Sequence, residues 1–282
     1  MNSFASKIFN TGDRIEKIPV TMLLYGNGGI GKTTFGSTAP APLLADLEQG
    51  SKYFGMRGIR MPAADIKTWY DFAGPGQFVE FAISHPKIET IIVDPMDRLL
   101  ELAKEAITGT KNKQNDGSLS MSGWGELKKM MITQVQKLTL SGKNIILVTH
   151  VEEKDDEGRM VKRPKIQTKL SEDLVDMVDI VGYMHATTDG EGKVNRKISV
   201  DPSNDKIVAK DRSGYLPKEI EPDFVLLQNA LQEAYTKRME ISLETAPEAP
   251  MEPTEPAVEP PVVEPTEDKH AIAKAKLEAM ND

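Results

Sequence analysis

The chain has 282 residues, 39% of them hydrophobic, a formal net charge of −8 and no cysteine. That length and apolar content allow one large α/β domain with an appendage, and the missing thiols exclude disulfides, thiolate metal centres and cysteine nucleophiles. No apolar run reaches the roughly 18 residues of a membrane span, and Met1 to Lys17 is too polar for a secretory leader, so a cytoplasmic protein without membrane contact is expected.

The acidity is local. Residues 239–282 carry 11 Asp/Glu against three Lys, which leaves residues 1–238 balanced. Seven prolines between Pro247 and Pro265 alternate there with Glu and small residues. Such a composition buries too little apolar surface to offset the entropy of ordering, so 239–268 is expected to be a disordered linker. Residues 269–282 regain helical composition, with Ile272, Leu277 and Met280 as a weak apolar set. That segment is either a docking helix for a protein partner or a solubilising end. Residues 1–16 form an N-terminal arm, and 17–238 the main domain.

Within the domain, the apolar run Ile18 to Tyr25 predicts a first buried strand. Directly behind it stands Gly26-Asn27-Gly28-Gly29-Ile30-Gly31-Lys32-Thr33-Thr34, a match to G-x-x-x-x-G-K-[ST]. Glycines let a chain wrap a phosphate with its N–H groups inward, and a following helix N-terminus adds partial positive charge. In this pattern the lysine, Lys32, reaches the β- and γ-phosphates, and the hydroxyl of Thr33 holds Mg²⁺. The helix begins at Thr33. Ala41 to Glu48 is a second strand with a charged tip, Ile59 to Ile66 a short third one, and Gln77 to Ser84 a helix stopped by Pro86.

Ile88 to Asp94 is a β-branched strand ending in a carboxylate, the place from which a P-loop enzyme holds Mg²⁺. Asp94 is therefore the second expected metal residue, with a helix N-cap as the bland alternative, and Asp97 is the better cap of the helix Arg98 to Ile107. Gly109 to Gly123 is polar and aperiodic. Trp124, Leu127, Met131, Val135 and Leu138 then share one face of an amphipathic helix. Asn144 to His150 is another strong strand, and His150 at its tip is either a satisfied polar residue or a sensor of a γ-phosphate. Glu152 to Lys169 reads as a hairpin or loop turning at Asp156-Glu157-Gly158. Its second half is basic, with Arg159, Lys162, Arg163 and Lys165. Strands at Asp179 to Ala186, Lys193 to Val200 and Lys206 to Lys210 make a β-meander, and a helix from Phe224 to Arg238 closes the domain.

Alternating strands and helices followed by antiparallel strands, with these motifs, resemble the RecA-like P-loop ATPases, most of all the small phage-encoded RecA-core proteins of single-strand annealing and recombination. The resemblance implies an α/β fold with a mostly parallel sheet, ATP and Mg²⁺ as cofactors, and DNA recombination, annealing or replication as the setting, in the bacterial host cytoplasm. Leu43 to Glu48 is similar to the strand whose terminal glutamate polarises the attacking water, which gives Glu48 the role of general base. Ala209 to Gly214 resembles a Lys-x-Arg segment that reaches a neighbouring subunit's nucleotide, which gives Lys210 and Arg212 a role in trans and implies a homo-oligomer, ring or filament. The loops 109–123, with Lys111 and Lys113, and 152–169 fall where such proteins bind single-stranded DNA. The lysine that precedes the paired glycines in partitioning ATPases is Asn27 here, which sets that group aside. A nucleotide-binding adaptor in a replication complex and a small-molecule phosphotransferase stay open as alternatives.

Overall fold

The structure is a computed structural model describing residues 18–107, 112–114, 116–156, 158–166 and 168–245. Those up to Ile241 form one compact unit. A second unit, Ser242–Asp282, contributes only the end of the last helix to the described residues. The expected linker beyond Thr245, the helix at 269–282 and the arm 1–16 lie outside them.

Three strands carry the site. β1 (Thr21–Gly26) is buried at every residue. β4 (Thr90–Asp94) is buried up to its terminal aspartate, and β5 (Asn144–Asp156) over its first six residues. A strand buried on both faces reads as a continuous apolar run rather than an alternation. β5 runs parallel to both, with Thr21 opposite Ile145 and Thr90 opposite Asn144. β2 (Pro42–Asp46) follows β4 and places Asp46 beside Asp94, and β3 (Ala63–Asp65) completes that edge. On the other side of β1 lies β7 (Ile180–Thr188), also parallel.

Past β7 the sheet turns antiparallel through β8 (Val194–Ser199) and β10 (Glu219–Ile220). The path is β10-β8-β7-β1-β5-β4-β2-β3. β6 (Arg159–Pro164) folds back on β5, Val151 opposite Pro164, as the expected hairpin. The meander is corrected at its third strand. β9 is only Lys210–Asp211 and returns to β7, while Ile207 bridges to Lys162 instead.

Helices cover both faces. α1 (Lys32–Ser37) and α7 (Phe224–Thr245) bring Phe35, Phe224 and Leu227 against Met22, Leu24, Ile146 and Val148. On the other face lie α2 (Trp69–Ala73), α3 (Phe78–Ser84), α4 (Met96–Ala106), α5 (Met121–Thr139) and α6 (Thr168–Met177). There Leu99, Leu127, Met131 and Leu174 meet Leu23, Tyr25, Val93 and Leu147. The two sets alternate along β1, as a pleated strand requires. α2 and α6 were not foreseen, although Thr68 and Asp71 form a reciprocal cap on α2. α5 starts earlier than Trp124 because the Ser120 hydroxyl accepts from the Gly123 amide. α7 runs on to Thr245, past the expected end at Arg238.

Buried polar groups at the amino edge of the sheet hold the strands in register. Asn144 Oδ1 accepts from the Val20 amide at 2.9 Å, and its amide group donates to Thr90 Oγ1 at 3.3 Å. Thr90 in turn donates to the Pro40 carbonyl at 2.7 Å.

Candidate active site

At the carboxyl end of β1 the chain leaves the sheet at Gly26, where a Cβ would stand 2.5 Å from the Met184 carbonyl oxygen. Only glycine fits that approach. Gly31, at φ 115°, turns the chain into α1 and serves as its N-cap without any side-chain hydrogen bond. The first amides of α1 are thus left for an outside acceptor. Lys32 is buried, and its ammonium donates to the carbonyls of Gly26 and Asn27, both at 2.9 Å. Burial pulls its pKa down from the ordinary lysine value, with Asp94, Asp97 and Glu48 opposing that shift.

Beneath the loop Thr33 Oγ1 donates to Asp94 Oδ2 at 2.5 Å, joining α1 to the tip of β4. Burial raises the Asp94 pKa, against the hydrogen bond from Thr33 and the charge of Lys32. A hydroxyl and a desolvated carboxylate side by side are hard oxygen ligands suited to a small divalent cation, and a cation there would relieve the carboxylate's burial. Among the described residues no cluster of three His, Asp or Glu forms a metal cage. A cation held here would take its remaining ligands from water and phosphate, the habit of Mg²⁺.

The tip of β2 divides its two carboxylates between structure and chemistry. Asp46 is buried and accepts from the amides of Glu48, Gly50 and Ser51 at 3.3, 3.1 and 2.9 Å. It shapes the turn that brings Glu48, which is exposed, to the rim of a pocket of about 150 Å³ also lined by Lys32, Thr33, Asp94 and His150. His150 Nδ1 lies 2.9 Å from Asp97 Oδ2, and Thr149 Oγ1 is 3.4 Å from Asp97 Oδ1. The expected cap role of Asp97 is therefore corrected. The N-cap position of α4 is Pro95, and the Asp97 carboxylate turns to Thr149 and His150, midway along β5.

Lys210 and Arg212 do not join this pocket. β9 pairs with the beginning of β7, at the level of Met22, which is the opposite edge of the sheet from the loop. Lys210 Nζ donates to the carbonyls of Val175 and Asp176, and Arg212 to the Asp176 carbonyl and the Asp179 carboxylate. Within one chain the two cations cap the carboxyl end of α6. Of the basic loop residues, Lys111 lies outside the described residues and Lys113 bridges to Leu119. Arg159 and Lys165 are exposed, Arg159 pairing with Asp205, while Lys162 and Arg163 are half-buried on β6.

Two arginines not singled out from the sequence stand close to the loop. Arg196 on β8 donates from Nε to the Ile30 carbonyl at 3.0 Å. With Arg57, Ile59, Met184 and Gly31 it lines a hollow of about 540 Å³ beside the start of α1. No local signal reveals Arg196, because 166 residues separate it from its partner.

A glycine-wrapped, uncapped helix start with a lysine, and a Thr–Asp pair beneath it, on a mostly parallel sheet, define a P-loop nucleotide-binding protein. Residues 18–213 match the family described as AAA domain. The chain belongs to that family of P-loop ATPase-like proteins. No curated protein matches it. Among solved structures it is similar to the flagellar accessory protein FlaH from Methanocaldococcus jannaschii, at 11% identity and a TM-score of 0.38, over 72% of this chain and 84% of that one. It is also similar to the KaiC-like protein PH0186 from Pyrococcus horikoshii OT3, at 12% identity and a TM-score of 0.36, over 64% and 77% of the two chains.

Proposed function

We propose that the chain is an Mg-ATP-dependent, RecA-like ATPase that oligomerises on single-stranded DNA and serves recombination, annealing or replication of phage type. The observation that carries the nucleotide half of this reading is the Thr33–Asp94 contact directly under the loop, with Glu48 and His150 on the same pocket. Bound magnesium supplies charge neutralisation of the phosphate oxygens. Lys32 exchanges its two carbonyl partners for β- and γ-phosphate oxygens, and the backbone amides from Gly28 to Lys32 point at the remaining phosphate oxygens, the Ile30 amide giving up its 3.4 Å bond to the Asn27 carbonyl. The nucleoside occupies the hollow bounded by Arg57 and Arg196.

Glu48 is exposed and has room to take a proton from water aligned on the γ-phosphate. With an Nδ1–H donating to the Asp97 carboxylate 2.9 Å away, the His150 ring leaves Nε2 to accept from that water. The DNA half rests on the basic second strand of the β5–β6 hairpin, with Arg159, Lys162 and Arg163, which projects from the same end of the sheet as the loop.

ATP hydrolysis by the purified protein, with and without single-stranded DNA at low and moderate salt, tests the reading. Stimulation by DNA is expected, weakening as salt rises. Glu48→Ala is expected to abolish turnover and keep ATP binding. Arg212→Ala separates the trans role from the helix cap. If the cation acts on a neighbour's nucleotide, DNA-stimulated turnover falls with the fold intact. A lower melting temperature with unchanged turnover leaves it the cap alone. Hydrolysis indifferent to DNA refutes the DNA half.

A further inference from the structure

A hollow larger than the phosphate pocket adjoins the phosphate loop. The antiparallel extension β7–β8–β10 carries Tyr183, His185, Ser199 and Glu219 on one face, and hairpin strand β6 with the segment around Ile207 forms a second layer over it. Between the layers lies a cavity of about 660 Å³, bounded at one end by Asn27 and Ile30 of the phosphate loop.

Its chemistry is mixed in a telling way. The rings of Tyr183 and His185 are stacked, at 17° between planes and 5.7 Å between centroids. Lys162 Nζ lies 5.3 Å above the Tyr183 ring, and Lys206 adds a second cation at the wall. Met160, 56% exposed, supplies a polarisable apolar side. Glu219 Oε1 meets His185 Nε2 at 3.1 Å and is itself half in solvent, so its carboxylate keeps capacity to accept. Aromatic floor, thioether wall, two ammonium groups and one acceptor together suit a planar heterocycle attached to phosphate.

We propose that this cavity takes one unstacked base of a single-stranded DNA, its ring against His185 and Met160 and its flanking phosphates on Lys162 and Lys206. The inference rests on the DNA reading above and gives it a place. Glu219 then accepts from an exocyclic amino group, which adenine and cytosine offer and thymine does not. Because Asn27 and Ile30 wall the same cavity, an occupied site touches the phosphate loop, which is how DNA reaches the hydrolytic pocket without a second subunit.

Fluorescence anisotropy with labelled oligo-dA, oligo-dC and oligo-dT of equal length, at low salt, decides it. Wild type is expected to bind dA and dC more tightly than dT. His185→Ala is expected to weaken all three by about tenfold, the loss of one stacked base, and His185→Phe to restore them. Glu219→Gln is expected to level the three oligomers. Arg159→Ala, outside the cavity, weakens all three and keeps their order. If wild type binds DNA and the His185 and Glu219 variants bind like it, the cavity is not the base site and the DNA reading survives. If wild type binds none of the oligomers, the DNA reading fails and takes the site with it.

Discussion

Tyr25, the residue just before the phosphate loop, links that loop to the hairpin through one hydroxyl. Its ring is fully buried. Its oxygen lies 2.9 Å from the Val208 carbonyl and 3.0 Å from the Lys162 carbonyl, and accepts from the Val208 amide at 3.1 Å. Burial pushes the phenol's pKa well above the ordinary tyrosine value, so the group stays a neutral donor at any working pH. Tyr25→Phe keeps the ring and removes the oxygen. The Val208 amide and the Lys162 carbonyl keep their bond to each other, so their losses are partial, while the Val208 carbonyl, the nearer acceptor of the single hydroxyl proton, loses that donor. Leaving such groups short costs about 1–3 kcal/mol, or roughly 2–4 °C in melting temperature per kcal/mol for a domain of this size. Urea unfolding measures the total, and amide hydrogen exchange at Lys162 and Val208 locates it. Faster exchange at those two amides, with strands β1 and β4 still protected, is the expected pattern. Unchanged stability together with unchanged exchange at both amides would show that the hydroxyl does not hold the hairpin.

Three further outcomes follow from named contacts. Asp94→Asn keeps the hydrogen bond to Thr33 and removes the charge, and is expected to weaken metal-dependent nucleotide binding by ~10–100-fold in calorimetry, with metal-free binding spared. Asn144→Ala strands the buried Val20 amide and is expected to cost about 1–3 kcal/mol in denaturant unfolding, with no change in nucleotide affinity. The Asp201 carboxyl is held at about 2, below its ordinary 3.8, first by the Ser203 hydroxyl and then by Lys218. A carboxyl depressed by folding stabilises above its unfolded value and loses that contribution as pH falls through the folded one. An NMR titration should therefore find Asp201 still ionised near pH 3, and a midpoint near 4 would show the contacts to be absent in solution.

The main strands and the loop chemistry were legible in the sequence because both are local. A strand buried on two faces must be a run of apolar residues, which is how β1, β4 and the first half of β5 declare themselves. Gly31 is required by its own backbone, at φ 115°, and lysine and threonine follow it at fixed offsets, whereas Gly26 is required by the Met184 carbonyl of a distant strand. The strand-tip position of Asp94 was equally readable.

What the sequence left open are the choices made between distant segments. Asp46 and Glu48 both line the pocket, and only the structure shows that three backbone amides engage Asp46 while Glu48 stays exposed. Asp97 resembles a cap until β5 brings His150 beside it. The places of Lys210 and Arg212 within one chain, on the amino edge and against the end of α6, follow only from the pairing of β9 with the start of β7. Arg196 reaches the phosphate loop only because β8 joins the sheet beside β7. Local pattern determines which segments are strands and which loop binds phosphate, since backbone geometry and burial act within a few residues. The partner of each charged side chain is decided by strand order, which is fixed only once the whole sheet has packed.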